Sequence, residues 1–80
     1  MASPEVSSRI ITLTSDYGAD SLYAAALRGA ILQQDPSVRI VDITHSIRPF
    51  DTNAAAFALR SVSPHFPRGT VHILALNNNQ

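Results

Sequence analysis

The sequence predicts an α/β fold, the βαβαβ half of a doubly wound sheet with parallel strands. Three observations carry that expectation. Short β-branched runs recur at three places, helix-length segments separate them, and each junction holds a cap or turn residue. The 80 residues leave room for one small domain, and no internal repeat or linker interrupts the alternation.

The first run, Arg9 to Thr14 (R-I-I-T-L-T), is bounded downstream by Asp16 and Gly18, as a buried strand would be. A helix is expected from Ser21 to Gln34, with Tyr23, Leu27, Ala30 and Ile31 at i, i+4, i+7 and i+8 on one face. Asp20 or Ser21 can cap its start. Asp35-Pro36 stops it, because Pro disfavours a helical conformation in the residue before it. Val38 to Thr44 (V-R-I-V-D-I-T) reads as the second strand, and His45 to Phe50, which contains Pro49, as a loop. Asp51 or Thr52 can cap a second helix with Ala54, Phe57, Ala58, Ser61 and Val62 on one side, ended by Ser63-Pro64. Pro67, Arg68 and Gly69 turn the chain into a third strand, Thr70 to Leu76. Right-handed crossovers make this a three-layer, Rossmann-like half with a parallel sheet. Ligands of such sheets bind outside the carboxyl ends of the strands, which here are Ser15 to Gly18, Thr44 to Phe50, and Asn77 onward.

Composition narrows the function classes. The chain is 45% hydrophobic and 15% charged with net charge +0, and its six arginines are spread from Arg9 to Arg68 without a single lysine. Phosphate neutralisation needs clustered cations, so no nucleic-acid partner is expected. The longest apolar stretch, Leu22 to Leu27, falls far short of the roughly 20 residues of a membrane span. Met1 to Ser8 has neither the basic start nor the apolar core of a secretion signal, so a cytoplasmic location is the expectation. With no cysteine to staple it, a domain of this size buries only about 60 to 65% of its unfolded surface and is marginally stable alone. A partner or further sequence would complete it.

Asp16 follows the first strand, and Gly18 lets the backbone turn tightly into a helix whose amino end attracts anions. The two oxygens of a carboxylate at that place suit the two hydroxyls of a ribose. Satisfying turn amides is the other role open to Asp16. The dinucleotide fingerprint G-x-G-x-x-G is absent, since the next glycine, Gly29, falls inside the expected helix. Asp20 reads as a cap rather than as a partner of Asp16 on a metal ion. At the end of the second strand, Thr44, His45, Ser46 and Phe50 offer an acid or base in His45 and a wall against a sugar or base in Phe50. No paired carboxylate is apparent near His45 in sequence, which favours a loop hydrogen-bonding role. His65 and His72 lack metal-ligand spacing and read as structural.

Taken together, I-T-L-T-S-D-Y-G, L-R-G-A-I-L, P-S-V-R-I-V-D-I-T-H-S-I-R-P-F-D, A-A-F-A-L and H-F-P-R-G-T-V-H-I are distinctive. They resemble the N-terminal domain of the S-adenosylmethionine (SAM) hydroxide adenosyltransferases, the SAM hydrolases related to fluorinases and chlorinases. The resemblance covers Ile10 to Leu76 and is most specific from Ile40 to Asp51. It implies a site in which Asp16 holds the ribose hydroxyls and the loop from Thr44 to Phe50 lines the sugar pocket. The substrate-binding set it implies is Ser15, Asp16, Tyr17, Thr44, His45 and Phe50. Members of the family cleave the bond between sulfonium and C5′ with water or hydroxide, or with halide in the halogenating relatives. SAM is then a substrate, and neither a cofactor nor a metal is implied. The resemblance also implies a second, β-rich C-terminal domain, homotrimers, and sites built between neighbouring subunits.

The sequence departs from that pattern after the third strand. Hydrolase members carry an Asp followed by Pro-Gly-Val-Gly, then an Arg and later a His, which together position the water. Here Asn77 stands at the Asp position, followed by Asn78, Asn79 and Gln80. An amide cannot accept a proton as a carboxylate does, so no catalytic residue is assigned. The first loop departs as well, with Ser21 where hydrolase members commonly have an acid, and the helix cap is expected to survive. Residues 1–80 are accordingly expected to be a partial N-terminal domain without its β-rich partner, catalytically inactive by itself. A non-catalytic module that binds adenosine or SAM is the alternative.

Overall fold

The computed structural model describes residues 9–76. Three strands alternate with two helices in the order β1 (Ile10–Ser15), α1 (Leu22–Gln34), β2 (Arg39–Thr44), α2 (Thr52–Val62) and β3 (Val71–Ala75), with one turn of 3-10 helix at Ser63–His65. All pairings are parallel, and the strand order is β2-β1-β3. The architecture is the expected α/β half, with boundaries moved by only one or two residues.

Strand order fixes where a site can form. The path steps from β1 to β2 on one side and returns to β3 on the other. Right-handed crossovers therefore put α1 and α2 on opposite faces of the sheet. The reversal makes the gap between the carboxyl ends of β1 and β3 the topological switch point, flanked on its other side by the end of β2.

The central strand is buried on both faces, with Thr12, Leu13, Thr14 and Ser15 all at 0% exposure. Three of these four side chains are hydroxyls. Burying a hydroxyl is costly unless it is hydrogen-bonded, and two of the three are. Thr12 Oγ1 lies 2.7 Å from His72 Nδ1 on β3, whose ring meets Phe66 edge-on at 5.8 Å. His72 is thus structural, as expected. Ser15 bonds to His45, whereas Thr14 Oγ1 has no hydrogen-bond partner among the described residues.

Both helices begin on a side-chain cap. Ser21 Oγ accepts from the Tyr23 amide at 2.9 Å, and Asp51 Oδ1 accepts from the Ala54 amide at 2.9 Å, each satisfying an amide the first turn leaves over. The inward faces differ from those read in the sequence. On α1 the buried residue is Ala24, with Leu27, Arg28 and Ile31 half-buried, while Tyr23 and Ala30 are exposed. On α2 Ala55 is buried, with Ala58, Leu59 and Val62 half-buried, and Phe57 and Ser61 face solvent. Apolar residues occupy nearly the whole circumference of α1, so spacing alone does not set which of its faces turns inward, whereas α2 has distinct faces and departs from the reading at Phe57 and Ser61.

β2 carries an irregularity that matters for the site. Leu13 pairs with Asp42 but Thr14 pairs with Thr44, so Ile43 is an extra residue without a partner on β1. Such a bulge re-aims the side chains that follow it.

Candidate functional site

The loops that follow β1 and β2 are joined to each other at the carboxyl edge of the sheet. The Gly18 amide donates to the His45 carbonyl at 2.7 Å, and the Ile47 amide donates to the Ser15 carbonyl at 3.3 Å. Gly18 adopts φ +102°, and a Cβ there would meet nothing within 4 Å. Its requirement for glycine is therefore conformational and not steric. Asp16 is half-buried between these two anchored residues.

A chain of side chains backs the same junction. Ser15 Oγ lies 2.5 Å from His45 Nδ1, His45 Nε2 lies 2.9 Å from Asp42 Oδ1, and Arg28 donates to Asp42 Oδ2 at 2.5 Å. The absence of a carboxylate partner for His45, expected from sequence, is corrected here: Asp42 is that partner. In a regular strand, positions three apart point to opposite faces. The bulge at Ile43 and the end of β2 at Thr44 bring Asp42 and His45 to the same side. Burial works against the charge on Asp42, but the hydrogen bond from His45 and the nearby Arg28 outweigh it and hold the carboxyl below its ordinary value.

Ser, His and Asp in one chain have the composition of a hydrolytic triad, yet the geometry is not that of one. Ser15 is fully enclosed, and its Oγ also accepts from the Tyr17 amide at 3.3 Å. A nucleophile must be reachable by substrate. Both ring nitrogens of His45 are engaged, and its side chain is only 10% exposed. Of the expected contact residues, Ser15 therefore has its side chain turned into the protein.

The segment Arg48-Pro49-Phe50-Asp51 forms a tight turn closed by the Asp51 amide on the Arg48 carbonyl at 3.0 Å. Pro49 occupies its second position, and Phe50 occupies the third with φ +65°, the place a type II turn reserves for glycine. Phe50 is 64% exposed. A bulky residue in the left-handed region, with its ring largely in solvent, is conformationally costly and gains little from burial. The Tyr17 and Tyr23 rings stack at a tilt across the start of α1, 6.1 Å apart. Thr44 Oγ1 accepts from the Ser46 amide at 3.1 Å, which tightens the beginning of the second loop.

Asp16, Tyr17, Thr44, His45 and Phe50 lie at the ends of β1 and β2 and in the loops that follow them, at one edge of the sheet, with Asp42 and Arg28 bonded to that edge and missed by sequence reading. A cavity of about 410 Å³ opens at the opposite edge, between the starts of β1 and β3, lined by Arg9, Ile10, Arg68 and Val71 among others. Ligands of sheets of this type characteristically bind at the carboxyl edge instead. Among the described residues, no three metal-ligating side chains converge, and no helix is long and apolar enough to cross a membrane. Asn77 lies outside the described residues.

Residues 11–80 match the sequence profile of the SAM hydroxide adenosyltransferase N-terminal domain. The chain belongs to that family. Within it, the chain is 36% identical over 72 residues to the (R)-S-adenosyl-L-methionine hydrolase of Methanocaldococcus jannaschii, covering 85% of this chain and 27% of that one. It is 37% identical over 62 residues to the fluorinase of an Actinoplanes species, covering 78% and 21%. A crystal structure of a conserved hypothetical protein from Thermus thermophilus superimposes with a TM-score of 0.74 at 29% identity, over 85% of this chain and 30% of that one. The chain thus spans about a quarter of the length of the curated relatives it matches.

Proposed function

We propose that this chain is the SAM-binding N-terminal part of a SAM hydroxide adenosyltransferase, and that it receives the ribose of the adenosyl group at the carboxyl ends of β1 and β2. The observation that carries this reading is the placement of Asp16. In a chain of this family, its carboxylate stands between two residues anchored to the neighbouring loop, beside a glycine turn that opens a helix. Asp16 accepts hydrogen bonds from the two ribose hydroxyls, Tyr17 and Thr44 line the sugar, and the exposed ring of Phe50 walls it. The backbone strain at Phe50 supports that last role, because strain that no packing requires is kept where a ligand uses it.

In the reaction this reading invokes, a water oxygen bonds to C5′ while the bond from C5′ to sulfur breaks. The bonding electron pair leaves with sulfur to give methionine, and the surplus proton goes to solvent as adenosine forms. No described residue is assigned to activate the water, since both nitrogens of His45 are engaged in structure. Asn77, at the position of the family's Asp, favours a second reading in which these 80 residues bind adenosine or SAM without turnover. A cytoplasmic location and a homotrimer belong to the first reading. Sedimentation of the protein checks the homotrimer.

Titration calorimetry with SAM and adenosine tests the proposed site. Each charge-assisted hydrogen bond is worth about 1.5 to 3 kcal/mol, so Asp16→Ala should weaken binding about tenfold to a thousandfold. Equal affinities for the two proteins would remove Asp16 from the site.

A further inference from the structure

We infer that Arg28, Asp42 and His45 are positioning residues that hold the β1–α1 loop through the Ser15 hydroxyl and so set where Asp16 stands for the ribose. The inference rests on the ribose-binding reading above and goes beyond it, because none of these three side chains is asked to touch the ligand.

The direction of each hydrogen bond follows from chemistry. An ionised carboxylate only accepts, so the proton on the Asp42 side of the His45 ring sits on Nε2. In the neutral ring with that tautomer Nδ1 is the acceptor, and the Ser15 hydroxyl donates to it. That fixes the hydroxyl's rotation and turns its lone pairs toward the Tyr17 amide. Arg28, on the other carboxylate oxygen, stops Asp42 from rotating away. The two backbone bonds, Gly18 amide to His45 carbonyl and Ile47 amide to Ser15 carbonyl, join the same pair of loops. Asp16 is enclosed in this arrangement, with Ser15 before it and Gly18 two residues after. Displacing the His45 ring therefore displaces the segment that carries Asp16.

The experiment uses the 80-residue protein, its Ser15→Ala and His45→Gln variants, and the double variant. Gln at position 45 can donate to Asp42 from its amide nitrogen and has the carbon Cδ, not a nitrogen acceptor, in the place of Nδ1. Affinities for adenosine and for 2′,3′-dideoxyadenosine, which lacks both ribose hydroxyls, are compared, and exchange of the Gly18 amide is followed by NMR. Each single variant should lose about threefold to tenfold of the preference for adenosine, the worth of one ordinary hydrogen bond. The dideoxy compound should bind as before, and Gly18 should exchange faster. The double variant should lose no more than either single one, because both break the same link. Equal weakening toward both compounds, unchanged Gly18 exchange, or losses that add would each overturn the inference. A wild-type protein that does not prefer adenosine would overturn the ribose-binding reading instead. The Gly18 exchange would then still decide whether His45 holds the loop.

Discussion

Ser15 and His45 stand thirty residues apart in sequence and share a hydrogen bond of 2.5 Å. Parallel pairing of β1 with β2 brings their carboxyl ends side by side, and the bulge at Ile43 turns the end of β2 so that His45 faces β1. One consequence is energetic, since a fully buried hydroxyl on the central strand is satisfied without water. Another concerns the site, since the loop bearing Asp16 and the loop bearing Phe50 become one structural unit. Effects at either loop are therefore expected to be felt at the other.

The ion pair at the outer end of this chain predicts an acid-sensitive contribution to stability. The folded-state pKa of Asp42 is depressed, so its contribution is fully present above the unfolded value of about 3.9 and is lost as pH falls through the folded value. The Asp42 side chain is 42% exposed, which limits the pair to about 1 kcal/mol or less. Melting temperatures of wild type and Asp42→Asn should differ at pH 5 and converge as the pH falls through the depressed folded value. A gap that stays constant over that range would show that the carboxylate's charge contributes nothing.

Phe50 separates stability from binding. Gly at this position removes a left-handed cost of about 1 to 2 kcal/mol and forfeits little burial, because the ring is 64% exposed. Phe50→Gly should therefore melt at or above the wild-type temperature and bind SAM more weakly, while Phe50→Ala keeps the strain and melts lower than Phe50→Gly. Calorimetry in both its scanning and titrating forms reads the two effects. A Phe50→Gly protein destabilised by more than about 1 kcal/mol would mean that the ring is a packing element.

The alternation of strands and helices was legible because β-branched runs and cap residues are local signals, and Ser21, Asp51, Pro36 and Gly69 stand where those signals place them. The placement of Asp16, Tyr17, Thr44 and Phe50 at one edge of the sheet was legible for the same reason, since parallel strands end side by side. The phase of α1 was not, because apolar residues surround that helix, and on α2 the small Ala55 packs inward while Phe57 lies in solvent. Asp42 escaped notice because strict alternation directs positions 42 and 45 to opposite faces, and no local residue marks the bulge that overrides it. Arg28 reads as a solvated helix residue until β2 is placed beside α1.

Thr14 offers a test of the polar core. Its hydroxyl is buried without a partner among the described residues, and an unsatisfied buried group costs about 1 to 3 kcal/mol. Valine has nearly the same shape and no polar atom, and it favours a strand. Thr14→Val should raise the urea midpoint, by about 1 kcal/mol in stability, where Thr12→Val should lower it by leaving His72 unpaired. Destabilisation by Thr14→Val would mean that the hydroxyl is held by a group outside residues 9–76.

The last prediction concerns turnover. Displacing methionine from C5′ requires an oxygen nucleophile held in line with the bond to sulfur and relieved of its proton as the new bond forms. Among the described residues at the carboxyl edge, His45 is enclosed between Ser15 and Asp42, and Asp16 is assigned to the ribose. The proposed reading puts Asn77 where hydrolases of the family would carry an acid, and an amide cannot take the proton. The 80-residue chain should therefore bind SAM without releasing adenosine and methionine above the buffer blank, as followed by chromatography. Release of adenosine by the wild-type chain that disappears in Asp16→Ala would overturn this account. It would mean that the chain activates water with a group of its own, and His45, freed from Ser15 by motion of the loop, would be the first residue to test.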